Sequence, residues 1–151
     1  MTKEFKPARV KRRNGRVGII ARHPLLGHWL IYAETKLDEG YSGDGETLGT
    51  PDGVLTGHGG ITFFGKLKMK EFAKKNFYGC DYAHFMDDEH ESTIMEVESD
   101  LFALMDSVAR YEAIYPKILI FRRVLENEHN KFEKYIAHAM HEKVSKKGGL
   151  T

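Results

Sequence analysis

The chain has 151 residues, of which 41% are hydrophobic and 30% charged, and its 23 Lys and Arg against 22 Asp and Glu leave a formal charge of +1. Such a length suits one domain burying about two-thirds of its unfolded surface, and the composition is globular rather than disordered or collagenous. A single cysteine, Cys80, excludes an internal disulfide or a multi-cysteine zinc site, no apolar run approaches the roughly 20 residues of a bilayer span, and residues 1–22 hold no apolar signal core.

These exclusions predict a cytoplasmic protein without a membrane partner. The balanced charge is a sum over segregated blocks. Residues 1–22 carry eight bases, from Lys3 to Arg22, against the single acid Glu4. Residues 1–13 therefore read as a basic N-terminal arm preceding one domain over 14–151. Nucleic acid could be met only through that arm. Lys66, Lys68, Lys70, Lys74 and Lys75 form a second basic block, and residues 87–100 are acidic with no base.

In chain order, Asn14-Gly15 is a hairpin turn signal before the β-branched run Arg16 to Ala21. His23-Pro24 ends that run, because proline donates no ladder bond and disfavours helix at the residue before it. Trp29 to Tyr32 predicts another strand or a short helix. Residues 38–53 hold five glycines and Pro51 and predict a long surface loop. Ile61 to Phe64 and Asn76 to Cys80 predict two further strands. Thr93 and Glu96 have the spacing of a capping box. Ile94, Val97, Leu101, Leu104, Met105 and Val108 then form one helical stripe. Pro116 is expected to separate this helix from a second. Phe121, Leu125, Phe132, Ile136, Met140 and Val144 form the stripe of that second helix, a C-terminal extension over 117–147. The predicted fold is α+β, a small antiparallel sheet over about residues 15–85 packed with two long C-terminal helices. The stripes predict core, and the terminal one could also join a second copy into a homo-oligomer.

Two segments carry candidate chemistry. His58 lies among Gly57, Gly59 and Gly60 at the entrance to a predicted strand, where glycine permits positive φ and close approach of a ligand to the main chain. Asp81, His84 and Asp87 follow another strand at intervals of three, which a helical turn would place near one face. Carboxylates and imidazole so arranged can hold a divalent metal or act as an acid–base pair. Three other features carry no such reading. Gly60 to Lys66 matches G-x-x-x-x-G-K, but Leu67 replaces the magnesium-binding hydroxyl and the intervening residues are strand-like. His138 and His141 fit no zinc signature, and Cys80 has no activating neighbour in sequence.

Taken together, Gly18 to Ile20 with His23-Pro24-Leu25-Leu26-Gly27, then His58-Gly59-Gly60-Ile61-Thr62, then Gly79, Asp81, His84 and Asp87 resemble a family of small phage-encoded proteins of uncharacterised activity. That family has H-G-G-[LI]-T and G-x-D-x-x-H-x-x-D motifs. The resemblance spans about residues 15–112, and Phe77-Tyr78 stand where the family carries tryptophan. It implies that His58, Asp81, His84 and Asp87 belong to one site and supplies no reaction.

The leading expectation is a phage accessory protein of the host cytoplasm that binds a small polar or anionic, nucleotide-like ligand. Its site would comprise His58, Gly59, Gly60, Thr62, Asp81, His84 and Asp87, with the Gly59 and Gly60 amides receiving anionic oxygens and Asp81 accepting from hydroxyl or amine groups. It would sequester the ligand or modulate a host process. An enzyme alternative places a divalent metal on Asp81, His84 and Asp87, with His58 as general acid or base of a hydrolysis. A third reading is an interaction module docking on a host protein.

Overall fold

The structure is a computed structural model describing residues 6–40, 54–58, 60–83 and 92–148, the side chains of the last segment to residue 142. The predicted loop over 38–53 lies mostly outside the described residues. The elements are β1 (Pro7–Arg13), β2 (Arg16–Arg22), β3 (Trp29–Thr35), β4 (Phe63–Lys66), β5 (Asn76–Asp81) and α1 (Ile94–Gly148). Every strand pairing is antiparallel, in the order β1-β2-β3-β5-β4. The α+β expectation holds.

Asn14 and Gly15 form the β1–β2 turn with φ of 53° and 75°. Two successive left-handed residues are what a two-residue hairpin needs to match strand twist. Seven residues of the segment expected as a basic arm thus become an edge strand, Arg13 pairing with Arg16. The β2–β3 turn, residues 23–28, is tied more closely. The His23 amide donates to the His28 carbonyl at 2.8 Å, and Gly27, at φ 75°, donates to the His23 carbonyl at 3.0 Å. The Leu25 and Leu26 amides both donate to His23 Nδ1, at 3.2 and 3.0 Å.

The pleat sorts residues onto two faces. One face receives the first part of α1. Gly18 permits this approach, since a Cβ there would lie 2.5 Å from Met105 Sδ and 3.1 Å from Leu101. Of the stripe residues, Val97, Leu101, Leu104, Met105 and Val108 are buried, as expected, and Ile94 is half-buried. The other face carries Val17, Ile19, Ala21, Leu30, Tyr32 and Phe77, packed with Leu67, Met69 and Phe72 from the segment after β4. Within this apolar layer Glu34 is buried but not orphaned. Its carboxylate accepts from the Val17 amide at 3.0 Å and pairs with Lys75 at 3.1 Å.

The segregated charges meet across the helix face. Arg9 and Lys11 pair with Glu98, Arg13 with Asp106, and Arg16 with Glu112. The Arg9 hydrogen bond holds the Glu98 carboxyl below its ordinary pKa. Glu112 also accepts from the Thr35 hydroxyl at 2.8 Å and the Lys36 amide at 2.5 Å. One carboxylate therefore links the helix to β2 and to the end of β3.

α1 begins at the expected cap. The Glu96 amide donates to the Thr93 hydroxyl at 3.2 Å, satisfying one of the helix's first free N–H groups. The expected division into two long helices is corrected, since a single helix runs from Ile94 to Gly148 with Pro116 inside it. Proline removes only one helical hydrogen bond, that to the Glu112 carbonyl, at a cost of about 3 kcal/mol. The following sequence is rich in Lys and Glu, which favour continuation. Pro116 nonetheless marks a boundary, for the chain divides into two compact units, 1–115 and 116–151. In the second unit the apolar stripe is not core among the described side chains, Val144 lying outside them. Phe121, Phe132, Ile136 and Met140 are exposed, and Leu125 is half-buried. The polar surface there carries the pairs His129–Glu133 and His138–Glu142 at helical spacing. Among the described residues no helix is long and apolar enough to cross a membrane.

Candidate functional site at one end of the sheet

The three motif-bearing segments arrive at the same end of the sheet. The His-Pro turn joins the end of β2 to the start of β3. The Gly57–Thr62 segment leads into β4, and the aspartate segment leaves β5. Backbone bonds join them, the Thr62 amide donating to Gly79 at 2.9 Å and the Tyr82 amide to Trp29 at 3.0 Å.

His58 is held from several sides. Its imidazole stacks on the Tyr82 ring, with centroids 3.9 Å apart and planes 12° from parallel. Asp100, in the second turn of α1, accepts from the Tyr82 hydroxyl at 2.5 Å and lies 3.9 Å from His58 Nδ1. The His58 backbone N–H donates to the Cys80 sulfur. Gly57 is seated so closely on that sulfur that a Cβ would come within 2.0 Å of Sγ. Ser107, fully buried on α1, anchors the same segment. Its hydroxyl receives the Thr56 amide at 3.2 Å and contacts the Thr56 and Leu104 carbonyls at 3.2 and 2.8 Å. The His58 side chain remains 28% exposed and that of Asp100 41%. The result is a fixed, solvent-reached imidazole backed by the buried Tyr82 ring, beside one carboxylate.

Cys80 beneath them is chemically quiet. Burial first, then the nearby Asp81 and Asp100 charges, push its thiol up to about 12. Tyr32 is likewise pushed up to about 12, by burial and then by Asp81.

Asp81 occupies the last paired position of β5, opposite Leu30. Leu30 belongs to the layer packed with Leu67 and Phe72, so Asp81 lies on that face, whereas Tyr82 meets α1 through Asp100. Asp81 Oδ1 accepts from the Ala83 amide at 3.1 Å, an Asx turn that ends the strand. Thr62 is exposed, and Gly60, at φ 98°, donates its amide to the Gly57 carbonyl at 3.1 Å. That N–H serves the turn and is not presented to a ligand. Gly59, His84 and Asp87 lie outside the described residues, so the set Asp81, His84 and Asp87 is described only at Asp81. Among the described residues no three His, Cys, Asp or Glu gather as metal ligands.

Sequence reasoning missed Tyr82, Asp100 and a neighbouring pair, Arg22 and Trp29. The Arg22 guanidinium lies over the Trp29 ring at 3.5 Å from its centroid and donates to the Gly27 carbonyl at 2.9 Å. The Trp29 indole N–H donates to the Ser92 carbonyl at 3.2 Å. His23 and His28 stack beside them with centroids 4.8 Å apart. Trp29 is the chain's one tryptophan and Arg22 closes the basic stretch. Those were the available signals, but only the strand register puts them beside the histidine segment. Comparison with protein-family profiles, curated proteins and solved structures finds no match.

Proposed function

We propose that the protein binds a small polar, nucleotide-like ligand at the end of the sheet where His58, Tyr82 and Asp100 meet. The observation that carries this reading is the His58 imidazole, stacked on the buried Tyr82 ring and held by Asp100 and Cys80, yet itself open to solvent. The outer face of the His58 imidazole, backed by the phenol, offers a flat surface to a planar group, and the carboxylate beside it accepts hydrogen bonds from ligand N–H or O–H groups. The protein then acts by sequestering the ligand or modulating a host process. The resemblance to small phage-encoded proteins supports this role, with the infected cell's cytoplasm as its place of action.

The test is a calorimetric screen of ribonucleosides, their 5′-monophosphates and sugar phosphates against the wild-type chain, His58→Ala and Asp100→Asn. Saturable binding lost in His58→Ala and weakened about tenfold in Asp100→Asn is expected, that being the scale of one charge-assisted hydrogen bond. Absence of binding across the panel, or binding indifferent to both substitutions, refutes the reading.

A further inference from the structure

We infer that Arg22 is the anion-binding end of this same site, so that the ligand class is a nucleoside phosphate rather than a neutral nucleoside or other polar molecule. The inference rests on the ligand-binding reading above and goes further by naming the group at the ligand's other end.

The bases on the helix face of the sheet differ in what they meet. Register places Arg9, Lys11, Arg13, Arg16 and Arg22 on that face, alternating with residues of the opposite layer. Four of these five bases meet a carboxylate of α1: Arg9 and Lys11 at Glu98, Arg13 at Asp106 and Arg16 at Glu112. Arg22 pairs with no carboxylate among the described residues. It is held all the same, by the Gly27 carbonyl and by the Trp29 ring. A guanidinium carries five donors, of which the Gly27 bond uses one. A flexible surface arginine gives up rotamer freedom when it binds an anion, whereas one already stacked and hydrogen-bonded gives up less.

Its position is the second observation. Arg22 pairs with Trp29 across β2 and β3, and the Tyr82 amide bonds the Trp29 carbonyl on the next strand. Arg22 and Trp29 on β2 and β3, and Tyr82 just beyond the end of β5, thus lie side by side at one level. Inter-strand spacings of about 4.8 Å put Arg22 roughly 10 Å from the Tyr82 strand, with an indole between. A planar group on the outer face of His58 would extend its anionic substituent along this row toward Arg22. The row also takes the anion away from the Gly57–Gly60 turn, where the Gly60 amide is already bonded to Gly57.

The experiment compares adenosine with adenosine 5′-monophosphate, and the other three ribonucleosides with their 5′-monophosphates, by calorimetry on wild type, Arg22→Gln and Arg22→Lys. Fluorescence of Trp29, the only tryptophan, provides an independent readout. The monophosphate is expected to bind about 10- to 100-fold tighter than its nucleoside, the scale of charge-assisted hydrogen bonding. Arg22→Gln should erase that difference while leaving nucleoside affinity within about twofold, and Arg22→Lys should retain part of it as a point charge without the fork. Equal wild-type affinity for both partners, or a preference that survives Arg22→Gln, overturns the assignment of Arg22 and leaves the ligand-binding reading standing. Binding of none of the eight compounds overturns both.

Discussion

Replacing Gly57 by alanine tests how the candidate site is held. The new Cβ would lie 2.0 Å from Cys80 Sγ, where ordinary contact begins at 3.4 Å, so the two must part by at least 1.4 Å. Cys80 cannot yield readily, because β5 is hydrogen-bonded between β3 and β4. The 54–58 segment must move instead, against the Ser107 hydroxyl and the His58–Tyr82 stack. Overpacking of this kind costs about 1–3 kcal/mol, here expected near 2. Cys80→Ala alone removes the sulfur that accepts the His58 N–H and should cost about 1–2 kcal/mol. The double variant removes the obstruction. Its alanine Cβ at position 80 would be 3.6 Å from the one at 57, an ordinary contact. Urea unfolding should therefore place the double variant within about 1 kcal/mol of Cys80→Ala, a coupling of about 1–2 kcal/mol. Additive losses, or a Gly57→Ala protein as stable as wild type, would refute the packing argument.

Removing the Ser107 hydroxyl in Ser107→Ala should cost about 1–2 kcal/mol in urea unfolding and speed amide exchange at Thr56, whose N–H loses its acceptor; unchanged exchange would count against the anchor. Glu112→Ala should cost about 3 kcal/mol, since it strands the Arg16 guanidinium together with the Thr35 hydroxyl and the Lys36 amide. Glu112→Gln, which keeps an acceptor, should cost less, and equal effects of the two would refute the hub role. The alkaline limb follows from Cys80. Its thiol ordinarily ionises near 9 and is pushed up to about 12 in the native protein. The unfolded chain therefore sheds that proton first, so stability is intact below pH 9 and falls as pH rises from about 9 to 12. Tyr32, raised from 10 to about 12, adds to the decline. Denaturation at pH 8 and pH 10 should differ by about 1 kcal/mol from the thiol alone, and Cys80→Ala should lose that share.

Local signals predicted local structure. The Asn14-Gly15 turn, the β-branched run before His23-Pro24 and the Thr93 cap are each decided by a few neighbouring dihedrals and hydrogen bonds, and each stands where expected. Two features were decided by energies that spacing does not express. At Pro116, one lost hydrogen bond competes with the favourable propensity of the turns on either side, and the helix continues. Beyond it, periodicity identifies an amphipathic helix but not what covers its apolar face, and Phe132 and Met140 are exposed. The site divides along the same line. His58 was legible because glycines frame it. Tyr82 and Asp100 were not, since their meeting depends on which face of β5 receives α1, a property of the sheet and not of either segment.

The near-zero charge sum acquires a physical meaning once the faces are known. The basic β1 and β2 do not present one continuous cationic surface, because Arg9, Lys11, Arg13 and Arg16 lie opposite Glu98, Asp106 and Glu112 of the acidic helix. Charge segregation along the chain is thus partly complementarity in the fold, and four of the eight bases of residues 1–22 are accounted for by these pairs. The same accounting separates Arg22 from its neighbours. It follows the same strand onto the same face, yet continues past the carboxylates to the end of the sheet and rests on Trp29. That guanidinium is already ordered by Trp29 and the Gly27 carbonyl beside His58, and this ordering is what the proposed anion contact draws on.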